Sequence, residues 1–527
     1  MNLSTELRAE PPRTDTKPAP GDRPAYLLVV VLSLSKLALH LALSGGYGYF
    51  RDELYYLACG RHLAWGYVDQ APMIAFVARI ALWLGASLPV LRVFPAIAGA
   101  LLVALTMLLT WRLGGGRFAQ AIAGLTVIFT PIYLAIDSLL TMNAFEPLFW
   151  MGCIYVLIRI VQTGDSRLWL WFGVFAGLGL MNKHSTGFFG LSVAIALLFT
   201  RERKEFAKPW IWIALAIALL IFSPNLIWQI QHHFPTIEDL RNVQVTGKNV
   251  VLPPLQFIWQ QIMVMHPVLS PIWLAGLWHF FFGRGRRYRL LGWIFVIFFL
   301  MMMFLHGKDY YVVPIYPVLI AGGTAAWEGV LQRWRFTRGK LWAKAASAAV
   351  ILVNGAILAP LMLPLLPPQH YQLYAQKVGF KVAKEETQEH SPLPQFLSDQ
   401  FGWPGLVRDV AQVYDSLPPE ERAQTGILTG NYGEAGAVDF FGKSYALPSA
   451  VSGHQTYFYW STHGTNPRNL LTLQYSTGHL SRMCESVEQV GVHDDRWGMA
   501  EENQPIYYCR GLKASLAEIW PSLKHWN

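Results

Sequence analysis

Acidic residues are almost absent from a long stretch of this chain. Residues 23–367 contain only twelve Asp and Glu, whereas seventeen lie after residue 368. A segment so poor in acid cannot cover itself with a solvated surface, and it is typical of a protein embedded in a membrane. Charged residues make up 14% of the chain, against about 25% in soluble domains. This composition excludes a disordered chain and argues against an ordinary cytosolic enzyme.

The membrane part is divided into apolar runs that approach the roughly 20 residues needed to cross a bilayer. We expect about eleven helical spans, at 25–43, 89–111, 118–136, 144–161, 168–181, 186–200, 209–228, 254–282, 290–305, 310–331 and 341–366. A further run at 72–84 follows the first loop closely and predicts a helix that lies at the membrane surface.

Lys and Arg are concentrated in alternate loops, which predicts the orientation of the spans. With a cytoplasmic N-terminus, the dense basic clusters all face inward: 112–117, 159–167, 201–208, 284–289 and 333–344. We therefore expect a disordered cytoplasmic tail at 1–23, a transmembrane domain at 24–368 and an extracytoplasmic domain at 369–527. Alternating helix and strand patterns in the last segment predict a small α/β domain.

Most of the rare acids fall in the loops predicted to lie outside. Ionisable groups at the edge of a span are costly unless they are solvated or paired, so they are functional candidates. For any single residue, the alternative is that loops are simply where charges go. Seven acids lie in the predicted outer loops: Asp52, Glu53, Asp69, Asp137, Glu238, Asp239 and Asp309. The same loops contain the basic residues Lys183, His184, His232, His233, His306 and Lys308.

Several of these residues lie in short motifs that follow one another in a defined order. The motifs are Asp52-Glu53 after the first span, Gly66-Tyr67-Val68-Asp69, the stretch 141–150 after Asp137, Asn182-Lys183-His184-Ser185, and His306-Gly307-Lys308-Asp309. The ordered set resembles the polyprenyl-phosphate-dependent membrane glycosyltransferases with the GT-C fold. It is similar in particular to bacterial members of the protein O-mannosyltransferase and lipid A aminoarabinose transferase superfamily, over residues 25–366.

The resemblance implies roles for individual side chains. Asp52 is the expected general base for the acceptor hydroxyl. Glu53 points about 100° away on a helix, and it either assists the catalytic group or lies on a solvated face. Cations and hydrogen-bond donors stabilise a departing phosphate, and the candidates are Arg51, Lys183, His184, His306 and Lys308. The candidates for sugar or acceptor binding are Asp69, Asp137, Tyr55 and Tyr67.

Each of these interpretations has a structural alternative. Lys183 could instead form a bridge with Asp137, and the acids could brace the loops around them. The aromatic residues could belong to the interfacial belt of a membrane protein. No pattern in the chain has the spacing of a metal site; a divalent ion is compatible with the first-loop acids, but no cofactor is required.

The domain after the last span carries three further features. Gly430 to Gly436 loosely resembles a phosphate-binding glycine turn. Residues 452–460 form a predicted exposed patch that could recognise an acceptor glycan. Cys484 and Cys509 could form a disulfide if the domain is outside the cytoplasm.

The predicted function is inverting transfer of a sugar from a polyprenyl-phosphate donor to a hydroxyl of a lipid, polysaccharide or protein acceptor. The reaction would occur on the outer face of a bacterial inner membrane, with no nucleic acid partner. The main alternative is a multi-span transporter or lipid flippase. Transporters place ionisable groups near the bilayer midplane, often in internal repeats, whereas these acids cluster at the outer ends of the spans. A cytosolic nucleotide-sugar transferase and a non-catalytic envelope scaffold are further alternatives.

Overall fold

The computed structural model describes residues 23–380, 391–460, 462, 464 and 466–527. The predicted disordered tail therefore lies, except for Arg23, outside the described residues. Helices α1 to α16 form the first part of the molecule: Tyr26–Leu43, Arg51–Arg61, Met73–Trp83, Leu88–Arg112, Arg117–Phe129, Pro131–Ile136, Met142–Thr163, Trp169–Asn182, Ser185–Leu198, Pro209–Gln231, Pro235–Thr246, Pro254–Val264, Ser270–Phe281, Arg289–Phe304, Tyr316–Gln332 and Thr337–Met362.

Six segments in the described part of the chain are long and apolar enough to cross a membrane: Tyr26–Leu43, Leu88–Arg112, Met142–Thr163, Pro209–Gln231, Arg284–Phe304 and Thr337–Met362. The predicted number of about eleven is not confirmed. The described residues also contain three shorter apolar helices, Met73–Trp83, Arg117–Phe129 and Ser185–Leu198, and several predicted spans are interrupted. The run at 118–136, for example, is divided into α5 and α6 at Pro131, whose missing N–H favours the start of a new helix. The predicted surface helix at 72–84 corresponds to α3.

Several hydrogen bonds join segments that the charge pattern predicts to lie on the same side of the membrane. At one end, Arg287 donates a hydrogen bond to the backbone oxygen of Val161 at 2.8 Å. At the other end, Arg61 donates to the backbone oxygen of Asp439 at 2.8 Å, and Asn242 contacts the C-terminal residues. The assignment of the two ends to the two sides of a membrane stays a prediction.

The described residues of the C-terminal domain form eight α-helices and five strands. Helices α17 to α24 are Pro368–Val378, Gln395–Ser398, Trp403–Ser416, Pro419–Arg422, Tyr432–Phe441, Tyr457–Trp460, Thr477–Met483 and Leu516–Leu523, and strands β1 to β5 are Thr425–Thr429, Ala450–Ser452, Asn469–Thr472, Cys484–His493 and Gln504–Leu512. The strand order is β2-β1-β3-β5-β4. β1 is parallel to β2 and β3, and β5 is antiparallel to β3 and β4. The small α/β domain predicted from the sequence is therefore present.

The two faces of this sheet pack against different layers. Because successive strand residues point to opposite faces, Ile427 and Leu428 belong to separate clusters. Ile427 packs with α19, α21 and residues of α2 and α3 from the first part of the molecule. Leu428 packs with Leu516 and Trp520 of the last helix. One hydrophobic core thus continues from the C-terminal sheet into the helical bundle, and it fixes the domain over the first loop.

Candidate functional site

Helix α2 carries the Asp-Glu pair, and its two carboxylates have different environments. Glu53 is fully buried. Its carboxylate accepts hydrogen bonds from the backbone N–H of Phe50 at 2.9 Å and of Leu140 at 3.0 Å, and it forms an ion pair with Arg92 at 3.4 Å. The third position of a helix commonly turns an acid back onto the helix N-terminus in this way. The prediction of a catalytic Glu53 is corrected: this side chain anchors the loop.

Asp52 lies on another side of the same turn and is only partly buried. Its Oδ1 atom accepts a hydrogen bond from the hydroxyl of Tyr432 at 2.9 Å. Tyr432 is the first residue of α21, so the contact joins the two parts of the molecule. The first turn of a helix also favours a negative charge through the helix dipole. Asp52 therefore remains in position for the role of base that the motif implies.

Asp69 is enclosed between the first loop and the C-terminal domain. The hydroxyl of Tyr55 donates to its Oδ1 atom at 2.9 Å and lies 2.8 Å from Oγ1 of Thr456. Burial raises the pKa of Asp69 to about 7, and the negative charges of Asp239 and Asp52 add to the effect. Burial also raises the pKa of Asp239, whose carboxylate accepts a hydrogen bond from Gln455 at 2.9 Å. We refer to Asp52, Asp69 and Asp239 as the carboxylate cluster.

The two tyrosines predicted to bind sugar have other surroundings. Tyr55 is buried and supports Asp69. Tyr67 is fully buried, and its hydroxyl lies 3.1 Å from the backbone oxygen of Cys59 and accepts a hydrogen bond from the N–H of Ala64 at 3.1 Å. The interpretation of Tyr67 as a sugar contact is corrected, because its polar atom is used to fold the loop after α2.

Asp137 is likewise a structural residue and not a sugar contact. It is fully buried and forms an ion pair with Lys36 of α1 at 3.0 Å. A β-carbon at Gly99 would approach its Oδ2 atom to 2.5 Å, so α4 also packs closely against it. The alternative of a bridge between Lys183 and Asp137 is wrong, since each residue has a different partner.

Lys183 directly follows α8. Its side chain lies against the N-terminal part of α7 and against the segment after α14. Its ammonium donates to Oδ1 of Asn143 at 2.8 Å and pairs with Glu146 at 3.1 Å. It lies 4.5 Å from the ring centroid of Tyr311 and 5.6 Å from that of Tyr310. The ammonium of Lys308 lies 5.9 Å from the same Tyr310 ring. The structure thus brings two of the predicted phosphate-binding residues to one aromatic side chain.

A small cavity is lined by Asn143, Glu146 and Tyr310, which also contact Lys183, and we call it the lysine cavity. It has apolar walls and a polar end, and its lining residues are Ile132, Ile136, Asn143, Glu146, Tyr310, Val313 and Pro314. Glu146 was not among the predicted site residues, although it belongs to the motif at 141–150. Its carboxylate also accepts a hydrogen bond from Ser185. Apolar side chains with an amide in the lining and two lysines near the same tyrosine ring have the chemistry that a lipid phosphate requires.

The other predicted phosphate-binding residues, Arg51, His184 and His306, do not line the lysine cavity. Arg51 forms ion pairs with Glu501 at 2.6 Å and Asp399 at 3.6 Å, and it thereby ties α2 to the C-terminal domain. His184 lies 3.1 Å from Oδ1 of Asn225. His306 is exposed and has a left-handed backbone with φ +54°. These contacts do not place the three residues at the lysine cavity.

Two predictions for the C-terminal domain are corrected. The glycine turn before α21 has no backbone N–H of Gly430 or Asn431 left for a phosphate. Both N–H groups donate hydrogen bonds to Oε2 of Glu434, at 2.9 and 3.3 Å. The patch at 452–460 is largely buried, since it packs against α2 and α11 instead of facing solvent. Cys484 and Cys509 are joined in a disulfide, with their Cα atoms 5.6 Å apart. Among the described residues, His, Cys, Asp and Glu side chains form no group of three suited to a metal ion.

Comparisons with known proteins agree with this architecture. Residues 69–228 match the family described as dolichyl-phosphate-mannose-protein mannosyltransferase. The lipid A galacturonosyltransferase RgtD of Rhizobium johnstonii is 27% identical over 254 residues, which are 47% of this chain. The match spans about half of that relative, 53% of its length.

Two crystal structures share the fold at low sequence identity. ArnT from Cupriavidus metallidurans in the apo state has a TM-score of 0.55 and 13% identity. The same protein bound to undecaprenyl phosphate has a TM-score of 0.58 and 14% identity. Each comparison covers 92% of this chain and 97% of ArnT. The chain therefore has the GT-C fold of ArnT, and its predicted resemblance to the polyprenyl-phosphate-dependent membrane glycosyltransferases is confirmed.

Proposed function

We propose that this protein transfers a sugar, with inversion, from a polyprenyl-phosphate donor to a hydroxyl group of an envelope acceptor. The transfer takes place on the outer face of the bacterial inner membrane, with the C-terminal domain on that side. The observation that carries the proposal is the lysine cavity in a chain of GT-C fold: its lining is largely apolar, and it includes Tyr310, the ring that both Lys183 and Lys308 approach.

The donor fits this cavity by its chemistry. The isoprenoid chain lies against the apolar wall, and the phosphate reaches the ammonium groups of Lys183 and Lys308. Asn143 and Glu146 hold Lys183 in place before the donor binds. ArnT binds undecaprenyl phosphate, and RgtD acts on lipid A. These two lipids are therefore the first donor carrier and the first acceptor to test.

In the transfer step, the Asp52 carboxylate takes the proton of the acceptor hydroxyl as its oxygen forms a bond to the anomeric carbon. The bond from that carbon to the phosphate oxygen breaks, and its electron pair leaves with the polyprenyl phosphate. Lys183 and Lys308 balance the charge that develops on the phosphate. A single displacement of this kind inverts the anomeric configuration.

The alternative of a transporter gains no support from the ionisable groups inside the bundle. Lys36 and Asp137 form a fully buried ion pair, in which each neutralises the charge of the other. A transport pathway requires such groups to face a substrate or a water-filled cavity. This pair instead holds α1 to the end of α6.

The test uses purified protein with undecaprenyl-phosphate sugars that carry galacturonic acid, mannose or aminoarabinose, and lipid A as acceptor. Mass spectrometry detects the transferred sugar. Asp52→Asn should lower turnover by about two to four orders of magnitude, while undecaprenyl phosphate still binds. Asp494→Asn, an exposed acid in the C-terminal domain, is the matched control. Absence of transfer from every donor, together with absence of undecaprenyl phosphate binding, would contradict the proposed function.

A further inference from the structure

The C-terminal domain contacts Asp52 directly. Helix α21 lies against α2 at two glycines. A β-carbon at Gly436 would lie 2.9 Å from the carbonyl carbon of Leu54, and one at Gly433 would lie 2.6 Å from Cγ of Arg51. The two helices are therefore in contact along their first turns, and the N-terminus of α21 meets the N-terminus of α2.

Tyr432 stands at this meeting point and is held on both sides. Its ring stacks on Tyr55 at a centroid distance of 4.6 Å and on His454 at 5.0 Å. Its backbone N–H donates to Nδ1 of His454 at 3.2 Å. The guanidinium of Arg51 lies 5.8 Å from the ring centroid. A ring clamped in this way has little freedom to swing, so the direction of its hydroxyl is set by the interface.

The neutral state of His454 is part of this clamp. Burial lowers the pKa of His454 well below its ordinary value, and the positive charges of His525 and Lys248 lower it further. The ring is therefore neutral at pH 7, and its Nδ1 atom can accept the N–H of Tyr432. A second histidine, His525, stacks on the far side of His454 at 4.8 Å and supports it.

We infer that Tyr432 is a positioning residue for the general base: its hydroxyl holds the Asp52 carboxylate in one orientation, so that the C-terminal domain completes the active site. The inference rests on the proposed function. The contact that carries it is the 2.9 Å hydrogen bond from the phenol to Asp52. A donated hydrogen bond stabilises a carboxylate relative to its protonated form, and it also limits the rotation of the side chain.

Tyr432→Phe removes the hydroxyl and keeps the stacked ring, so the variant should fold. We expect kcat to fall by about tenfold while KM for the donor stays unchanged. The acidic limb of the pH–rate profile should move to higher pH by about one unit, because the carboxylate loses a stabilising donor. Tyr414→Phe is the matched control: it removes a tyrosine hydrogen bond, to the backbone oxygen of Arg422 at 3.1 Å, within the same domain but away from α2.

The double variant with Asp52→Asn separates this inference from the proposed function. If Tyr432 acts through Asp52, then Tyr432→Phe has no further effect once Asp52 is Asn. Additive losses in the double variant, or a Tyr432→Phe enzyme with the wild-type kcat and pH profile, would overturn the inference and leave the assignment of Asp52 intact. Wild-type turnover of Asp52→Asn would overturn the assignment of the base and the role of Tyr432 with it. A loss of kcat in Tyr414→Phe equal to that in Tyr432→Phe would identify a general effect of domain stability and would also refute the inference.

Discussion

Two enclosed aspartates at the same end of the bundle show how differently an acid can be buried. Asp137 and Asp69 are both predicted to lie in outer loops, and both are enclosed by protein. Asp137 pairs with Lys36 of a neighbouring helix at 3.0 Å, so its charge is compensated within the bundle. Asp69 lies beside two other acids and accepts a hydrogen bond from Tyr55, and its pKa is raised to about 7.

The comparison indicates which acids build the fold and which are retained for chemistry. A buried ion pair neutralises its own charges and has little to offer to a substrate. Burial raises the pKa values of Asp69 and Asp239. Acids with raised pKa values cost stability, and they occur more often at functional sites than elsewhere. The carboxylate cluster lies where the two parts of the molecule meet, next to the tyrosines and the glutamine that support it.

The largest expected effect comes from removing Lys36, the cation that pairs with Asp137. Lys36→Met leaves Asp137 buried without its cation and should lower the free energy of unfolding by about 3–5 kcal/mol. Thermal unfolding in detergent, followed by tryptophan fluorescence, measures the loss. The double variant Lys36→Met/Asp137→Leu should recover most of it. A single variant as stable as the wild type would show that the pair does not hold α1 in place.

The next effect concerns the uncompensated aspartate. The folded protein holds a proton on Asp69 up to about pH 7, whereas the unfolded chain releases it near pH 3.8. The free energy of unfolding should therefore fall as the pH rises from about 4 to 7, by at most about 4 kcal/mol from this group. Melting temperatures measured across this range should show a steeper decline for the wild type than for Asp69→Asn. Parallel pH dependences of the two proteins would refute the raised pKa.

A smaller effect tests Lys183 at the lysine cavity, where its ammonium contacts Asn143, Glu146 and the ring of Tyr311. Lys183→Gln keeps an amide next to Asn143 and removes the charge, and it should weaken undecaprenyl phosphate binding by about 10- to 100-fold. Lys443→Gln, at an exposed position of the C-terminal domain, is the control. Equal affinities of both variants and the wild type would remove Lys183 from the donor site.

The smallest expected effect concerns the hydroxyl of Tyr67 in the first loop. Tyr67→Phe removes a hydroxyl that supports the loop backbone, so it should cost about 1 kcal/mol of stability and leave kcat unchanged. Comparison of melting temperature and turnover for the same preparation gives both values. A fall in turnover without a change in melting temperature would return Tyr67 to the substrate-binding group.

The fold was predictable where it depends on composition and period. The membrane part, the helix α3 and the strands β1, β3, β4 and β5 follow from apolar runs and alternation that the local sequence contains. The short strand β2 was not predicted, because its three residues, Ala450–Ser452, carry too little pattern. The division of α5 from α6, and of α12 from α13, also lay beyond simple hydropathy, since a kink within an apolar run does not change its composition.

The candidate site was predictable only in part. The motifs drew attention to Asp52, Asp69, Lys183 and Lys308, because charges are rare in an apolar chain. Tyr432 was missed as a site residue, since it lies more than 360 residues after Asp69 in an ordinary soluble domain. Gln455 and Thr456 were included only in the predicted exposed patch at 452–460, and the sequence does not reveal that they contact Asp239 and Tyr55. Glu53 and Asp137 were assigned to the chemistry because the sequence does not reveal that Arg92 and Lys36 reach them.

The sequence by itself therefore determined that the chain is a membrane protein with an α/β domain, and which few charges lie at one end of its spans. Hydropathy and charge are properties of each segment and need no partner. Only the tertiary structure decided which acids are neutralised by a cation and which remain beside the C-terminal domain. That distinction depends on contacts between residues far apart in the chain, such as Tyr432 with Asp52, and such contacts leave no local trace in sequence.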